Sequence, residues 1–182
     1  MQNDFSTLAS LIQAVDFAAG KHRDQRRKDA QGTPYINHPI RVAALLADVG
    51  GINDIATLQA ALLHDTIEDT DTTTEELQAL FGPEVRALVQ EVTDDKSLPE
   101  SERKRLQIEH AAQLSPKARH IKLADKIANV TDLTWSIPVS WPVERKVAYL
   151  NWAEQVVAGC RGGNAWLDTK FDKTVKLARS SL

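Results

Sequence analysis

Residues 60–70 read Ala60-Ala61-Leu62-Leu63-His64-Asp65-Thr66-Ile67-Glu68-Asp69-Thr70. Wound as a helix at 100° per residue, His64, Glu68, Asp65 and Asp69 fall at about 0°, 40°, 100° and 140° around the axis, and Ala60, Leu63 and Ile67 share another sector. One face can pack into a core while the other lines a cavity. The helical period continues outward in both directions. Phe5, Leu8, Leu11, Ile12, Val15 and Ala19 form an apolar stripe ending near Gly20. Pro39 opens a helix to Asp48 that Gly50-Gly51 stops, and one helix runs from Asn53 through Asp69. Thr73 with Glu76 makes a capping box for a helix ended by Gly82, and Pro83 opens another to Val92. Further helices span Pro99–Leu114, Pro116–Leu133 behind a Ser115 cap, Val143–Gly159 and Ala165–Leu177. No segment alternates at period two for long enough to demand a strand, and Thr33-Pro34-Tyr35-Ile36 reads as a short extended loop. The expectation is one all-α domain over residues 1–182, a non-symmetric bundle of about eight or nine helices.

Composition narrows the function. The 182 residues are 42% hydrophobic and 26% charged, outside collagenous, low-complexity and disordered classes. Folding a chain of this size buries roughly 70% of its extended surface, so no disulfide or structural metal is needed to hold it together. The 22 basic and 25 acidic residues leave a net charge of −3, without the basic excess of a general nucleic-acid or membrane binder. Anion binding must therefore be local. No apolar run approaches a membrane span, and the N-terminus lacks a secretion-signal pattern. The lone Cys160 reads as a small buried hydrophobe in a reducing compartment. A cytoplasmic protein is expected.

Chemistry concentrates at a few residues. Glu68, Asp69 and Asp65 crowd the C-terminal end of a helix, where the dipole disfavours negative charge. A bound cation would relieve that penalty and their mutual repulsion, whereas the plain reading is a solvated acidic face. His64-Asp65 alone is a weak signal, since the dipeptide is common by chance. It gains force from His38, at the mouth of the second helix, and Asp125, a carboxylate on an otherwise apolar helix that Lys122 or Lys126 could also pair. Two imidazoles and two carboxylates leave positions open for water and substrate, a set that suits Mn²⁺, Fe²⁺, Co²⁺ or Zn²⁺ better than Ca²⁺. Glu68 and Asp69, one turn beyond, are placed to take a proton from water. The class described is metal-assisted hydrolysis of a phosphate ester or anhydride.

The order His38, His64-Asp65, Asp125 resembles the HD-domain metal-dependent phosphohydrolases. Lys21-His22-Arg23-Asp24-Gln25-Arg26-Arg27-Lys28, Gly32-Thr33-Pro34-Tyr35-Ile36-Asn37-His38-Pro39, the 60–70 stretch and Lys122-Leu123-Ala124-Asp125-Lys126 look like the hydrolase domain of RelA/SpoT-type alarmone enzymes, most similar to the stand-alone small hydrolases. The resemblance spans roughly residues 5–160, with the helices at 143–180 packed on that part. It implies an HD-domain bundle that removes the 3′-pyrophosphate of ppGpp or pppGpp with Mn²⁺, giving GDP or GTP. It also implies His38, His64, Asp65 and Asp125 as metal ligands and Glu68 and Asp69 as the acidic pair that activates or orients water. Arg27, Lys28, Tyr35 and Asn129 match nucleotide-lining positions. Relatives often carry Arg where Thr131 stands, which weakens any basic contact from that turn.

Lys96, Arg103, Lys104 and Arg105 form a second basic stretch expected to supply a contact to the 5′-phosphates. The cluster Lys21–Lys28 reads either as a solvated helix end or as local positive charge for a polyphosphate. Trp135, Trp141, Trp152 and Trp166 read as core, and His22, His110 and His120 as surface or supporting residues. The expected partner is a small nucleotide, with no nucleic acid or membrane. Rival readings are an HD hydrolase of another 3′- or 2′-phosphorylated nucleotide, and a nucleotide sensor without catalysis.

Overall fold

A computed structural model describes residues 2–135 and 141–182; the side chains of residues 2–5, Phe5 among them, and of Trp135 lie outside the described part. The chain is all-α. In order run α1 (Gln2–Lys21), α2 (Asn37–Ala44), α3 (Ile55–Leu63), α4 (Thr66–Asp69), α5 (Thr74–Val92), α6 (Glu100–His110), α7 (Pro116–Trp135), α8 (Val143–Cys160) and α9 (Ala165–Ser180). A π-helical stretch, Leu45–Val49, continues α2, and a 3₁₀ turn, Ala111–Gln113, follows α6. Among the described residues no strand forms, and the extended loop makes one isolated bridge, Arg26 to Pro34. No helix described is long and apolar enough to cross a membrane.

Local chemistry places most boundaries. Thr73 accepts from the Glu76 backbone N–H at 3.1 Å and opens α5. Gly82, at φ 86° and ψ 170°, breaks that helix where a side chain would be strained, and Pro83 restarts it. Ser115 caps α7 through the Ala118 N–H at 3.3 Å. Asn164 caps α9 and its amide also donates to Gly50 O, tying α9 to the turn after the π-helical stretch.

Two expectations are corrected. The helix read from Asn53 through Asp69 is interrupted: α3 ends at Leu63, the chain turns at His64-Asp65 (Asp65 φ −97°, ψ −2°), and α4 restarts at Thr66. The Thr66 hydroxyl donates to Leu63 O at 2.7 Å, satisfying a carbonyl that the break leaves over. On α1 the buried face is Ala14 and Ala18 with Leu11 and Val15 packed beside them, whereas Leu8 and Ile12 are 59% and 60% exposed. Small alanines let α1 approach α3 closely, so its larger apolar residues are not all needed inside.

The centre of the fold is α7, which packs against α9, α8, α2, α5 and α3. Its Ile121, Leu123, Ala124, Ile127, Ala128 and Val130 are buried with Leu63, Val89, Leu150, Val157, Leu167 and Phe171 from its neighbours. Cys160 is buried among them, as expected of a small hydrophobe, and burial pushes its thiol pKa up. A central helix with apolar neighbours on several sides is a rigid carrier for any polar group it bears.

Candidate active site

His38 enters from the first turn of α2, His64 and Asp65 from the α3–α4 break, and Asp125 from the middle of α7. Ligand atoms of His38, His64 and Asp65 all lie within 4.8 Å of one another. Asp125 joins them: its Oδ1 lies 3.1 Å from His38 Nε2 and 3.8 Å from His64 Nε2. Asp65 Oδ2 is 3.1 Å from His64 Nε2 and 3.7 Å from His38 Nε2. The ring orientations suit a cation. His64 Nδ1 donates to Ala61 O at 2.8 Å, so the buried Nε2 is the ring nitrogen turned toward the cluster, where losing its proton would free a lone pair for a cation. Two imidazole nitrogens and two carboxylate oxygens, buried apart from a partly exposed Asp65 and converging, fit a divalent ion of the transition series.

The charges are held in place from behind. Tyr35 Oη donates to Asp65 Oδ2 at 2.7 Å, Asn129 Nδ2 to Asp125 Oδ1 at 2.6 Å, and Lys126 Nζ to Asp125 Oδ2 at 3.0 Å. Burial opposes ionisation of both aspartates, yet His64 beside Asp65, and Lys126 beside Asp125, hold both carboxyls below the usual range. Burial lowers the pKa of His38. Burial also acts against a charged His64, but the Asp65 and Asp125 carboxylates together with the Ala61 carbonyl outweigh it and raise the imidazole to about 9. A cation entering here displaces that proton.

Tyr35, Lys126 and Asn129, which touch the ligands, also line a cleft of about 540 Å³. Glu68 and Asp69 stand on its wall. Glu68 Oε2 accepts from the Asp94 N–H at 3.2 Å, and Oε1 lies 3.6 Å from both Lys96 Nζ and Arg103 Nη1. Lys96 also bonds Asp69. Arg27 lines the cleft with Nη2 on Asp132 (2.6 Å) and Asn129 (2.9 Å), and Lys28 is exposed beside it.

Every sequence-derived site residue thus lies in the His38–His64–Asp65–Asp125 group or lines the cleft, although Lys96 is paired with the acidic residues. The two basic stretches divide. Lys21 pairs with Asp71 and Glu76 and Arg105 with Glu102 and Glu109, away from the cleft, while Arg26, Arg27, Lys28, Arg103 and Lys104 line it. His22 is buried, its ring 4.9 Å from Tyr35, a supporting role as expected.

The tryptophan reading holds in part, since Trp141 and Trp152 pack against the core while Trp166 does not. Trp141 and Trp152 are half-buried and line the cleft, together with Tyr149 and Arg145, and Trp166 is 73% exposed. Tyr149 packs between the two indoles, tilted to Trp141 at 5.6 Å and edge-to-face with Trp152 at 5.3 Å, while Arg145 lies 4.4 Å from the Trp141 ring and Lys126 4.5 Å from the Trp152 ring. A signal was present: Arg145, Tyr149 and Trp152 recur at i, i+4 and i+7, a stripe mixing cation and aromatic that a dry core would not carry.

A family model described as HD domain matches residues 14–146. This chain belongs to the HD domain family. Close HD relatives cover nearly all of it. The human guanosine-3′,5′-bis(diphosphate) 3′-pyrophosphohydrolase MESH1 is 58% identical over 163 residues, 90% of this chain and 91% of its own. The Xenopus tropicalis protein of the same name is 55% identical over 167 residues, 92% and 93% of the two chains. A solved structure of a metazoan orthologue of SpoT, described as hydrolysing ppGpp, superposes with a TM-score of 0.91 at 50% identity over 96% of this chain and 97% of that one. An HD hydrolase implies a divalent metal, and the His38–His64–Asp65 group is a place where this chain can hold one.

Proposed function

We propose that this HD domain protein is a guanosine-3′,5′-bis(diphosphate) 3′-pyrophosphohydrolase, acting on ppGpp or pppGpp with Mn²⁺ as its metal. The observation that carries the reading is the convergence of His38, His64, Asp65 and Asp125 beside a cation-lined cleft. Near-full-length similarity to hydrolases of that name supports the substrate.

Water attacks the 3′-linked phosphorus, the bond from that phosphorus to the 3′ oxygen breaks, and pyrophosphate and a 3′-hydroxyl result. When bound, the cation supplies Lewis acidity, making water a stronger acid near neutral pH and offsetting charge on the phosphoryl oxygens. Glu68 accepts the proton of the attacking water at its carboxylate, with Asp69 orienting that water. Lys96 steadies the acidic pair and meets the nucleotide's phosphates. Arg27 and Lys28 supply donors for phosphate, Tyr35 and Asn129 hold the ligand carboxylates, and Tyr35 presents its ring to the nucleotide.

The test is incubation of pure protein with ppGpp and Mn²⁺, expecting GDP and pyrophosphate in equal amounts. Absence of turnover with Mn²⁺, Fe²⁺, Co²⁺ and Zn²⁺, on protein shown to be folded, removes the substrate assignment.

A further inference from the structure

Arg27 reaches the cleft from the segment between α1 and α2, and its side-chain hydrogen bonds among the described residues all leave from Nη2, to Asp132 Oδ2 and Asn129 Oδ1. Its guanidinium carbon lies 5.5 Å from the Tyr35 ring centroid. These contacts fix the plane of the fork and leave Nε and Nη1 as donors for an anion. Asp125, Asn129 and Asp132 stand at i, i+4 and i+7 on α7, one face of the central helix. Asn129 links Asp125 to Arg27, donating to the carboxylate while accepting from the guanidinium. The other oxygen of Asp132 accepts from Arg41 Nη1 at 2.7 Å. One carboxylate is therefore shared by two guanidiniums, and the trio keeps a net positive charge.

We infer that Asp132 is a positioning residue for the hydrolytic site, holding the Arg27 guanidinium over the Tyr35 ring and aimed at an anionic group of the nucleotide. Asp132 itself meets no substrate, and Arg41 prevents it from cancelling the charge it orients. The inference rests on the hydrolase reading above. A purely electrostatic account predicts the opposite sign, because removing an acid beside a polyanion should tighten binding. Asparagine at this position cannot accept from both arginines; its amide nitrogen must face one of them.

The experiment measures ppGpp affinity by calorimetry on metal-free protein, where turnover does not interfere, and KM and kcat on metal-loaded protein. The proteins are wild type, Asp132→Asn, Arg27→Gln and the double variant. Asp132→Asn should weaken binding and raise KM about tenfold while kcat stays within about twofold. In the Arg27→Gln background the same change should add nothing, since it acts only through Arg27. Asp132→Glu, which keeps the charge but displaces it by one methylene, should give an intermediate KM with an unchanged Tm. The inference is overturned by unchanged or tighter binding in Asp132→Asn, by a full additional loss on top of Arg27→Gln, or by a fall in kcat with KM unmoved. Wild-type protein that neither binds nor hydrolyses ppGpp overturns the substrate reading itself, a result visible before any variant is made.

Discussion

Glu68 sits with Asp94 on one side and Lys96 and Arg103 on the other, and burial, reinforced by the Asp94 charge, raises its pKa above the ordinary glutamate range. A carboxylate that must accept a proton works only when ionised, so the acid limb of kcat should lie above that range. Asp94→Asn should move the limb to lower pH, read from a pH–rate profile. Glu68→Gln should retain the metal and lose about 10²- to 10⁴-fold in turnover. For stability the sign runs the other way from a salt-bridged acid. The folded pKa exceeds the unfolded one, so the contribution of Glu68 is fullest below the unfolded value and falls as pH rises through the folded value. His64→Ala, Asp65→Ala and Asp125→Ala should each abolish metal retention by elemental analysis. Wild-type metal content in any of them removes that residue from the ligand set.

At the scale of elements, what sequence could read was what neighbours in sequence determine. Thr73 with Glu76, Gly82 and Ser115 mark helix ends through hydrogen bonds and dihedral angles that span at most four residues, and each sits where local chemistry put it. The ligand stretch was half legible. Its polar side chains do face one side of the fold, but the turn at His64-Asp65 answers to Tyr35 and Asp125, distant in sequence, and periodicity carries no trace of them. The tryptophans were half legible for a related reason: Trp141 and Trp152 pack against the core and also line a wet cleft, and helical spacing does not tell the two apart. Asp132 gave no signal because its partners, Arg27 and Arg41, lie in other elements. Tight element packing gives its own prediction. A Cβ on Gly159 of α8 would lie 2.6 Å from Ala111 Cβ and 2.9 Å from Ala112 N. Gly159→Ala should therefore push α8 off the turn after α6 and cost about 1–3 kcal/mol, seen as a Tm several degrees lower.

For the whole molecule, the metal cluster joins α2, the α3–α4 turn and α7, so occupancy should stabilise the fold as a unit. Mn²⁺ at a hundredfold excess over its Kd should add about 2.7 kcal/mol of stability, measured by thermal melting, and the gain should vanish in Asp125→Ala. Packing of α7 against five other helices has a consequence for how such a protein fails on heating. The backbone amides around Ala124–Ala128 should be among the last to take up deuterium, opening only when the entire chain opens. The stripe of polar groups on that helix would then keep its geometry up to the melting transition. Of the four side chains that would hold the metal, Asp125 should therefore be the last displaced on heating.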